Sequence, residues 1–95
     1  MKVVRGDAMV TQRIVVAEIS GLHLRPAGKI SEVSLQYASK VQIKKGNQIA
    51  NAKSVLGLLA ARVQQGDEIE IICDGADEKE ALKAVVGAIQ TGLQE

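Results

Sequence analysis

A seven-residue stretch from Gly21 to Ala27, GLHLRPA, contains the only histidine and the only proline of the 95-residue chain. Proline has a fixed φ and no N–H, so Pro26 fits the first turn of a helix and predicts that one begins here. His23 then lies at or beside the helix N-terminus, where free backbone N–H groups and the helix dipole attract anions. Arg25 adds a guanidinium that can hold two oxygens of one phosphate. The stretch therefore predicts a phosphate site beside an imidazole.

The chemistry that these groups favour is phosphoryl transfer through His23. The positive helix end disfavours a charged imidazolium, which leaves the ring neutral at pH 7 with a lone pair for attack. Phosphoryl transfer needs positioning and charge compensation, and a helix end with an arginine supplies both. From the residues alone a structural cap is the simpler interpretation, and a Ser-His-Asp or Cys-His arrangement also stays open. A metal site is disfavoured because the chain has no second histidine.

The composition indicates one globular domain without a strong preference for a charged partner. The residues are 46% hydrophobic and 24% charged, and the formal net charge is +1, which gives no general attraction to nucleic acid or membranes. Tyr37 is the single aromatic residue, a poor basis for base stacking. Cys73 is the single cysteine, and its apolar neighbours predict a buried thiol. The chain has no apolar run of membrane-spanning length and no secretory signal, so a cytoplasmic location is expected.

Hydrophobic periodicity predicts an α+β fold. Alternating or β-branched runs favour four strands, at 10–19, 40–45, 48–51 and 67–73. Apolar residues spaced three and four apart favour three helices, at 24–38, 54–66 and about 77–93. Each strand has one apolar face and each helix one apolar stripe. The economical arrangement has two layers, with the elements in the order β-α-β-β-α-β-α and all three helices on one face of a four-stranded sheet.

Ser54 is the second candidate for chemistry. A serine before a helix caps it, because the hydroxyl accepts a hydrogen bond from a free backbone amide. A phosphate there adds roughly −1.5 to −2 charges at the positive end of the helix dipole, which accommodates them. The simpler interpretation is an ordinary cap. A docking patch with a basic rim is also expected near this serine, formed by Val55, Leu56, Lys29, Lys53 and Arg25; the alternative is core packing for the apolar pair and solvated charge for the rest.

Two motifs resemble those of the HPr family, the histidine-containing phosphocarrier proteins of the bacterial phosphoenolpyruvate-dependent sugar phosphotransferase system. Gly-x-His-x-Arg-Pro-Ala is present at 21–27, and Lys-Ser followed by two apolar residues and Gly is present at 53–57. A third match is Gly-Ala-Asp-Glu at 75–78. The resemblance covers about residues 10–93. It implies an open-faced β-sandwich, whose antiparallel sheet has the strand order 1-4-2-3. Residues 10–95 are expected to form one HPr-like domain, and residues 1–9 a disordered extension.

The resemblance also implies a function. Enzyme I passes a phosphoryl group to Nδ1 of His23, Arg25 assists, and His23 passes the group to an EIIA protein or domain of a sugar permease. Ser54 matches the serine that HPr kinase/phosphorylase modifies, and the seryl-phosphorylated form then binds a catabolite-control transcription factor. Partner contacts are expected at Leu24, Lys29, Lys53, Val55 and Leu56. The chain is then a stoichiometric carrier rather than an enzyme, with no cofactor, no metal, and no nucleic-acid or membrane partner.

Other functions stay open at this point. A regulatory HPr paralogue would act through phosphorylated Ser54 alone, although known paralogues of that kind lack the histidine. A carrier could also serve a nitrogen-related branch or a dihydroxyacetone kinase, and a small-ligand regulatory domain would need a pocket and no phosphohistidine. Three residues depart from the family pattern: Leu24 replaces a common Ala, Gly28 a common Thr or Ser, and Arg62 a common Gly.

Overall fold

Alternating apolar residues form four strands of one sheet, and three helices cover it. The computed structural model describes residues 9–16, 24–64 and 66–90. The elements are β1 (Met9–Val15), α1 (Leu24–Ser34), β2 (Lys40–Lys45), β3 (Gln48–Asn51), α2 (Val55–Ala61), β4 (Glu68–Asp74) and α3 (Glu78–Gln90). Their order confirms the one that the periodicity predicts.

The sheet is antiparallel and has the strand order β1-β4-β2-β3, which confirms the order that the family resemblance implies. β4 is central: Glu70 pairs with Arg13 of β1 on one side and with Lys44 of β2 on the other. β2 and β3 form a hairpin whose turn contains Gly46 with φ +58, a conformation that glycine adopts without a Cβ clash. Among the described residues, β1 and β3 are the edge strands.

The core lies between one face of the sheet and the inner stripes of the helices. Every second residue of β4 is buried, at Ile69, Ile71 and Cys73, as the strand period of two requires. Val41 and Ile43 of β2 are buried beside them. Each fully buried branched aliphatic side chain contributes roughly 1.5–3 kcal/mol through its removal from water. The core is therefore built from aliphatic side chains, as the composition predicts.

The helix layer has a fixed order. α1 contacts both other helices, α3 packs against β1 and β4, and α2 packs against β3. α2 and α3 therefore lie at opposite ends of the layer, with α1 between them. Ala27 and Ile30 of α1 are fully buried and supply its part of the core.

Several element boundaries differ from those that the sequence predicts. β1 begins at Met9, which pairs with Asp74, so this residue belongs to the sheet rather than to the extension; residues 1–8 lie outside the described part. β1 ends at Val15, earlier than residue 19. α1 ends at Ser34 rather than at 38, and Tyr37 is half-buried in the following loop.

The end of α2 also differs, because Arg62 and not Gly66 caps this helix. Arg62 has φ 55 and ψ 46, the left-handed conformation, and its N–H donates to the Leu59 carbonyl. The ammonium of Lys45 donates to the Arg62 carbonyl at 2.7 Å and forms an ion pair with Asp67 at 3.1 Å. These contacts hold the end of α2 against β2, so a non-glycine residue adopts a conformation that the sequence assigns to Gly66.

Asp77 joins the loop after α1 to the start of α3. Its carboxylate accepts from the backbone N–H groups of Ala38 and Ser39, each at 2.9 Å, and from the Ser39 hydroxyl. The Ser39 hydroxyl and then the Ala38 N–H hold the pKa of Asp77 below its usual value. Gly75 lies so close to the same loop that a Cβ on it would come within 2.7 Å of the Ser39 Cα. The start of α3 is thus fitted closely to the end of α1.

Candidate functional site

The GLHLRPA stretch ends in the first turn of α1. The helix begins at Leu24, so Leu24, Arg25 and Pro26 are its first three residues. Its first turn contains no acidic residue, and the positive end of the helix dipole therefore has no carboxylate within that turn to neutralise it. His23 lies outside the described residues, and so do the side chains of Leu24 and Arg25. The expected roles of these three residues stay predictions.

Ser54 caps α2, as the sequence predicts. Its backbone is extended, with φ −114 and ψ 115, and its Oγ accepts a hydrogen bond from the Gly57 N–H at 3.0 Å. The Ser54 carbonyl accepts from the Leu58 N–H at 3.0 Å, which starts the helix. A Cβ on Gly57 would lie 3.3 Å from the Ser54 Oγ. The glycine of the second motif therefore leaves room for the serine hydroxyl against the helix end.

Contacts from α1 hold the residue before Ser54. Ser31 of α1 is buried, and its hydroxyl donates to the Lys53 carbonyl at 2.9 Å. The Lys53 ammonium donates to the Tyr37 carbonyl at 2.7 Å, and the Lys53 N–H donates to the Asn51 side chain at 2.9 Å. Lys53 thus links α1 and its following loop to the start of α2. No sequence pattern indicates this role of Ser31, because a serine within a helical stripe resembles any other surface serine.

The residues expected to form a docking patch differ in exposure. Leu56 is 78% exposed, whereas Val55 is partly buried and packs against the core. Lys29 is exposed on α1, which contacts α2. Lys53 is half-buried, with its ammonium on a backbone carbonyl rather than free at a rim. Among the patch members whose side chains the structure describes, Leu56 and Lys29 are therefore the two that solvent reaches most.

The thiol of Cys73, the single cysteine of the chain, is not suited to nucleophilic chemistry. Cys73 is fully buried, and burial raises the pKa of its thiol to about 11, with smaller contributions from the carboxylates of Asp77 and Glu78. A protonated, enclosed thiol is a poor nucleophile. Within the described residues, His, Cys, Asp and Glu form no group that could hold a metal ion. None of the three described helices has the length and apolar content needed to cross a bilayer.

Comparison with known proteins identifies the family. The family described as "PTS HPr component phosphorylation site" matches residues 10–91. The phosphocarrier protein HPr of Neisseria meningitidis serogroup A is 36% identical over 81 residues, which are 85% of this chain and 91% of that protein. The HPr-like protein Crh of Bacillus subtilis is 35% identical over 82 residues, 86% of this chain and 96% of that protein.

The solved structures agree. The crystal structure of HPr-C-His from Thermoanaerobacter tengcongensis superposes with a TM-score of 0.85 at 32% identity, and the match covers 90% of this chain and 97% of that one. The family match over residues 10–91 spans both motifs and all three helices. The chain belongs to the HPr family of phosphocarrier proteins of the phosphotransferase system.

Proposed function

We propose that the chain accepts a phosphoryl group on His23 from phospho-enzyme I and passes it to EIIA proteins or domains of sugar permeases. The observation that carries the proposal is the GLHLRPA motif, whose Leu-Arg-Pro forms the first turn of α1 in a chain of the HPr family. In each transfer one phosphorus–nitrogen bond to the donor breaks as a bond to Nδ1 of His23 forms, and the reverse occurs with the acceptor. The chain is regenerated in each cycle, so it acts as a carrier rather than as an enzyme.

The local charges support this role. The first turn of α1 presents backbone N–H groups and no carboxylate, and these groups favour a phosphoryl group over an imidazolium at the preceding residue. The Arg25 guanidinium compensates the phosphoryl charge during transfer. Phosphoryl transfer depends on positioning and charge compensation, so the chain needs no metal or cofactor of its own.

The partner surface in this proposal is formed by the start of α1 and by α2. Exposed Leu56 supplies apolar contact area, and exposed Lys29 supplies positive charge for an acidic partner. Leu24 lies beside the reactive residue and adjusts the fit. Only the exposed part of the Val55 side chain contributes to this partner surface. Lys53 contributes indirectly, because its backbone carbonyl holds the segment before Ser54 against α1. A relay of this kind operates in the cytoplasm.

Ser54 provides the regulation. HPr kinase/phosphorylase transfers a phosphoryl group from ATP to its hydroxyl, and the product binds a catabolite-control transcription factor. Ser54 caps α2 through the Gly57 N–H, so the phosphate lies at the positive end of a helix dipole and the fold changes little. The added negative charge repels an acidic partner surface and slows transfer to or from His23. The alternative is a regulatory HPr paralogue that acts through Ser54 alone, and the similarity to the HPr-like protein Crh supports this alternative.

The first experiment measures transfer to His23. We incubate the chain with enzyme I and phosphoenolpyruvate labelled in the phosphoryl group. The expected product is a phosphoramidate, stable to base and labile to acid, which is absent from His23→Ala and present in Ser54→Ala. Absence of label from the unmodified chain, with a known HPr labelled in parallel, contradicts the carrier proposal.

The second experiment measures modification of Ser54. We incubate the same three proteins with HPr kinase/phosphorylase and labelled ATP. An acid-stable ester is expected in the unmodified chain and in His23→Ala, and none in Ser54→Ala. An ester without any phosphoramidate from the first experiment favours the regulatory paralogue. A phosphoramidate without an ester removes the regulatory part and leaves the carrier intact.

A further inference from the structure

A groove between β1 and α3 lies at the opposite end of the helix layer from Ser54. It encloses about 480 Å³, and its walls include Val10 and Gln12 of β1 and Leu82 and Val86 of α3. An added Cβ at Gly87, which also lines the groove, would meet no atom within 4 Å. The surface of the groove is mostly apolar, and α1 separates it from the start of α2.

The strand that forms one wall can accept another strand. β1 has one neighbour, β4, among the described residues. It spans seven residues, against four for β3 at the other edge. The backbone N–H and C=O groups along the outer side of an edge strand pair readily with an added strand, and pockets beneath alternate side chains give selectivity. β1 combines such an edge with an apolar groove directly beside it.

The rim of the groove is positively charged. Lys79 and Lys83 line it from α3, and their spacing of four places them on one side of the helix. Both are exposed, and neither pairs with a carboxylate of the described residues. These charges favour an acidic occupant. The chain's own residues 1–8 contain Lys2, Arg5 and Asp7, a set that does not complement two lysines.

We propose that this groove binds an extended, acidic segment of a partner protein. The segment adds as a fifth strand to the outer edge of β1, which has no neighbour besides β4 in the described part of the chain. Every second side chain of an added strand faces the helix layer, and at these positions the segment alternates apolar and acidic residues. The apolar ones lie against Leu82 and Val86, and the acidic ones lie beside Lys79 and Lys83. The stretch of α3 from Lys79 to Gln90 rises roughly 16 Å, which is the length of about five residues of an added strand. A partner bound here leaves Ser54 and Leu56 uncovered, because α1 lies between the groove and α2.

The test uses a seven-residue fluorescein-labelled peptide, Glu-Thr-Val-Thr-Glu-Thr-Val, whose Glu and Val side chains share one strand face, and its counterpart with Lys in place of Glu. Fluorescence anisotropy with the full chain at low salt is expected to give saturable binding of the acidic peptide and none of the basic one. Lys79→Glu/Lys83→Glu weakens binding by about tenfold or more, since it reverses two exposed charge contacts. Lys40→Glu/Lys44→Glu makes the same charge change on β2, outside the groove, and leaves binding within about twofold because distant exposed charges are screened.

Amide chemical shifts locate the peptide and separate it from other occupants. Perturbations are expected along Val10–Ile14 and Lys79–Gln90. Perturbations confined to α1 and α2, or equal binding of the two peptides, overturn the proposal. The same changes on concentrating the protein alone identify a second copy as the occupant and overturn it. Binding to a variant without residues 1–8 but not to the full chain identifies that segment as the occupant and also overturns it.

Discussion

At the scale of single residues, the fold gives the Ser54 hydroxyl and the Cys73 thiol opposite reactivities. The Ser54 side chain is half-buried, and its oxygen accepts one bond from the Gly57 N–H, which leaves the hydroxyl proton free to donate. The Cys73 sulfur is fully enclosed in the core. A serine at a helix start remains available for modification in this arrangement, whereas the cysteine acts as a small hydrophobic residue.

The enclosure of Cys73 predicts a pH dependence of stability. Burial raises the pKa of its thiol from 9.0 to about 11, so the unfolded state releases this proton at a lower pH than the folded state. The thiol's contribution to the free energy of unfolding is therefore intact below pH 9 and falls by roughly 2–3 kcal/mol in all by pH 11. Urea unfolding from pH 7 to 11 measures it, with Cys73→Ala as the control. If the two proteins lose stability in parallel above pH 9, the thiol is not the cause.

At this scale the sequence predicts the contacts between residues that lie close together along the chain. The cap of Ser54 was predictable because its partner, Gly57, is three residues away. The engagement of Lys53 was not, because its ammonium binds the carbonyl of Tyr37, which is 16 residues distant and is free only because α1 ends at Ser34. A half-buried lysine bound to a carbonyl and a solvated one have the same sequence pattern.

At the scale of elements, the left-handed cap of α2 predicts a stabilising substitution. Arg62 has φ 55, and a Cβ in that conformation clashes with the backbone, whereas glycine adopts it freely. Arg62→Gly is therefore expected to raise the free energy of unfolding by roughly 0.5–1 kcal/mol, despite the greater freedom of glycine in the unfolded chain. Urea denaturation measures the change. Arg62→Ala keeps the Cβ and should not stabilise; equal stabilisation by both variants would show that the guanidinium, not the backbone, is responsible.

Two glycines at different positions predict opposite effects of the same substitution. Gly28 lies inside α1, where an added Cβ meets nothing within 4 Å, so Gly28→Ala should stabilise the fold by roughly 0.5–1 kcal/mol through helix propensity. At Gly75 the added Cβ would overlap the Ser39 Cα and Oγ, so Gly75→Ala should destabilise by roughly 1–3 kcal/mol. Thermal unfolding of the two variants checks the pair. Stabilisation by both would mean that the loop at Ser39 moves aside easily.

The elements were predictable in type and order, and less so in extent. Alternation identified β2 and β4 because each buries every second residue. The sequence predicts the wrong end for α2, because glycine is the residue that most often adopts the left-handed conformation at a helix end. No residue next to Arg62 in the sequence indicates that Lys45 binds its carbonyl there. The apolar stripe of the first helix includes Tyr37, so the sequence predicts that α1 extends beyond Ser34. In the structure Tyr37 packs against the core from the loop after α1.

At the scale of the whole molecule, periodicity predicts which face of each element is buried, but not which elements are neighbours. The β1-β4-β2-β3 order requires pairs far apart in sequence, such as Arg13 with Glu70, and it came from the family resemblance. The contacts that set the packing of the helices are equally distant. Ser31 joins α1 to the start of α2, and Asp77 joins the loop after α1 to the start of α3. α1, whose first turn contains the Arg-Pro of the motif, is thereby fixed on both sides.

The Asp77 contacts predict how the molecule responds to acid. The Ser39 hydroxyl and the Ala38 N–H lower the pKa of Asp77 below 3.8, so the carboxylate stabilises the folded state fully above its unfolded pKa. This stabilisation is lost as the pH falls through the lower folded value. Asp77→Asn should therefore be less stable than the unmodified chain at neutral pH, and the difference should shrink below about pH 4.

Urea unfolding between pH 2.5 and 7 measures this difference directly. Glu80→Gln is the matched control, because it removes an exposed carboxylate from the same turn of α3 and should leave the acid dependence close to that of the unmodified chain. If the difference between Asp77→Asn and the unmodified chain stays constant down to pH 2.5, the charge of Asp77 does not hold α1 to α3. Hydrogen bonding alone would then account for the difference, because Asn replaces one of the two accepting carboxylate oxygens with an NH2 donor and so loses an acceptor at every pH.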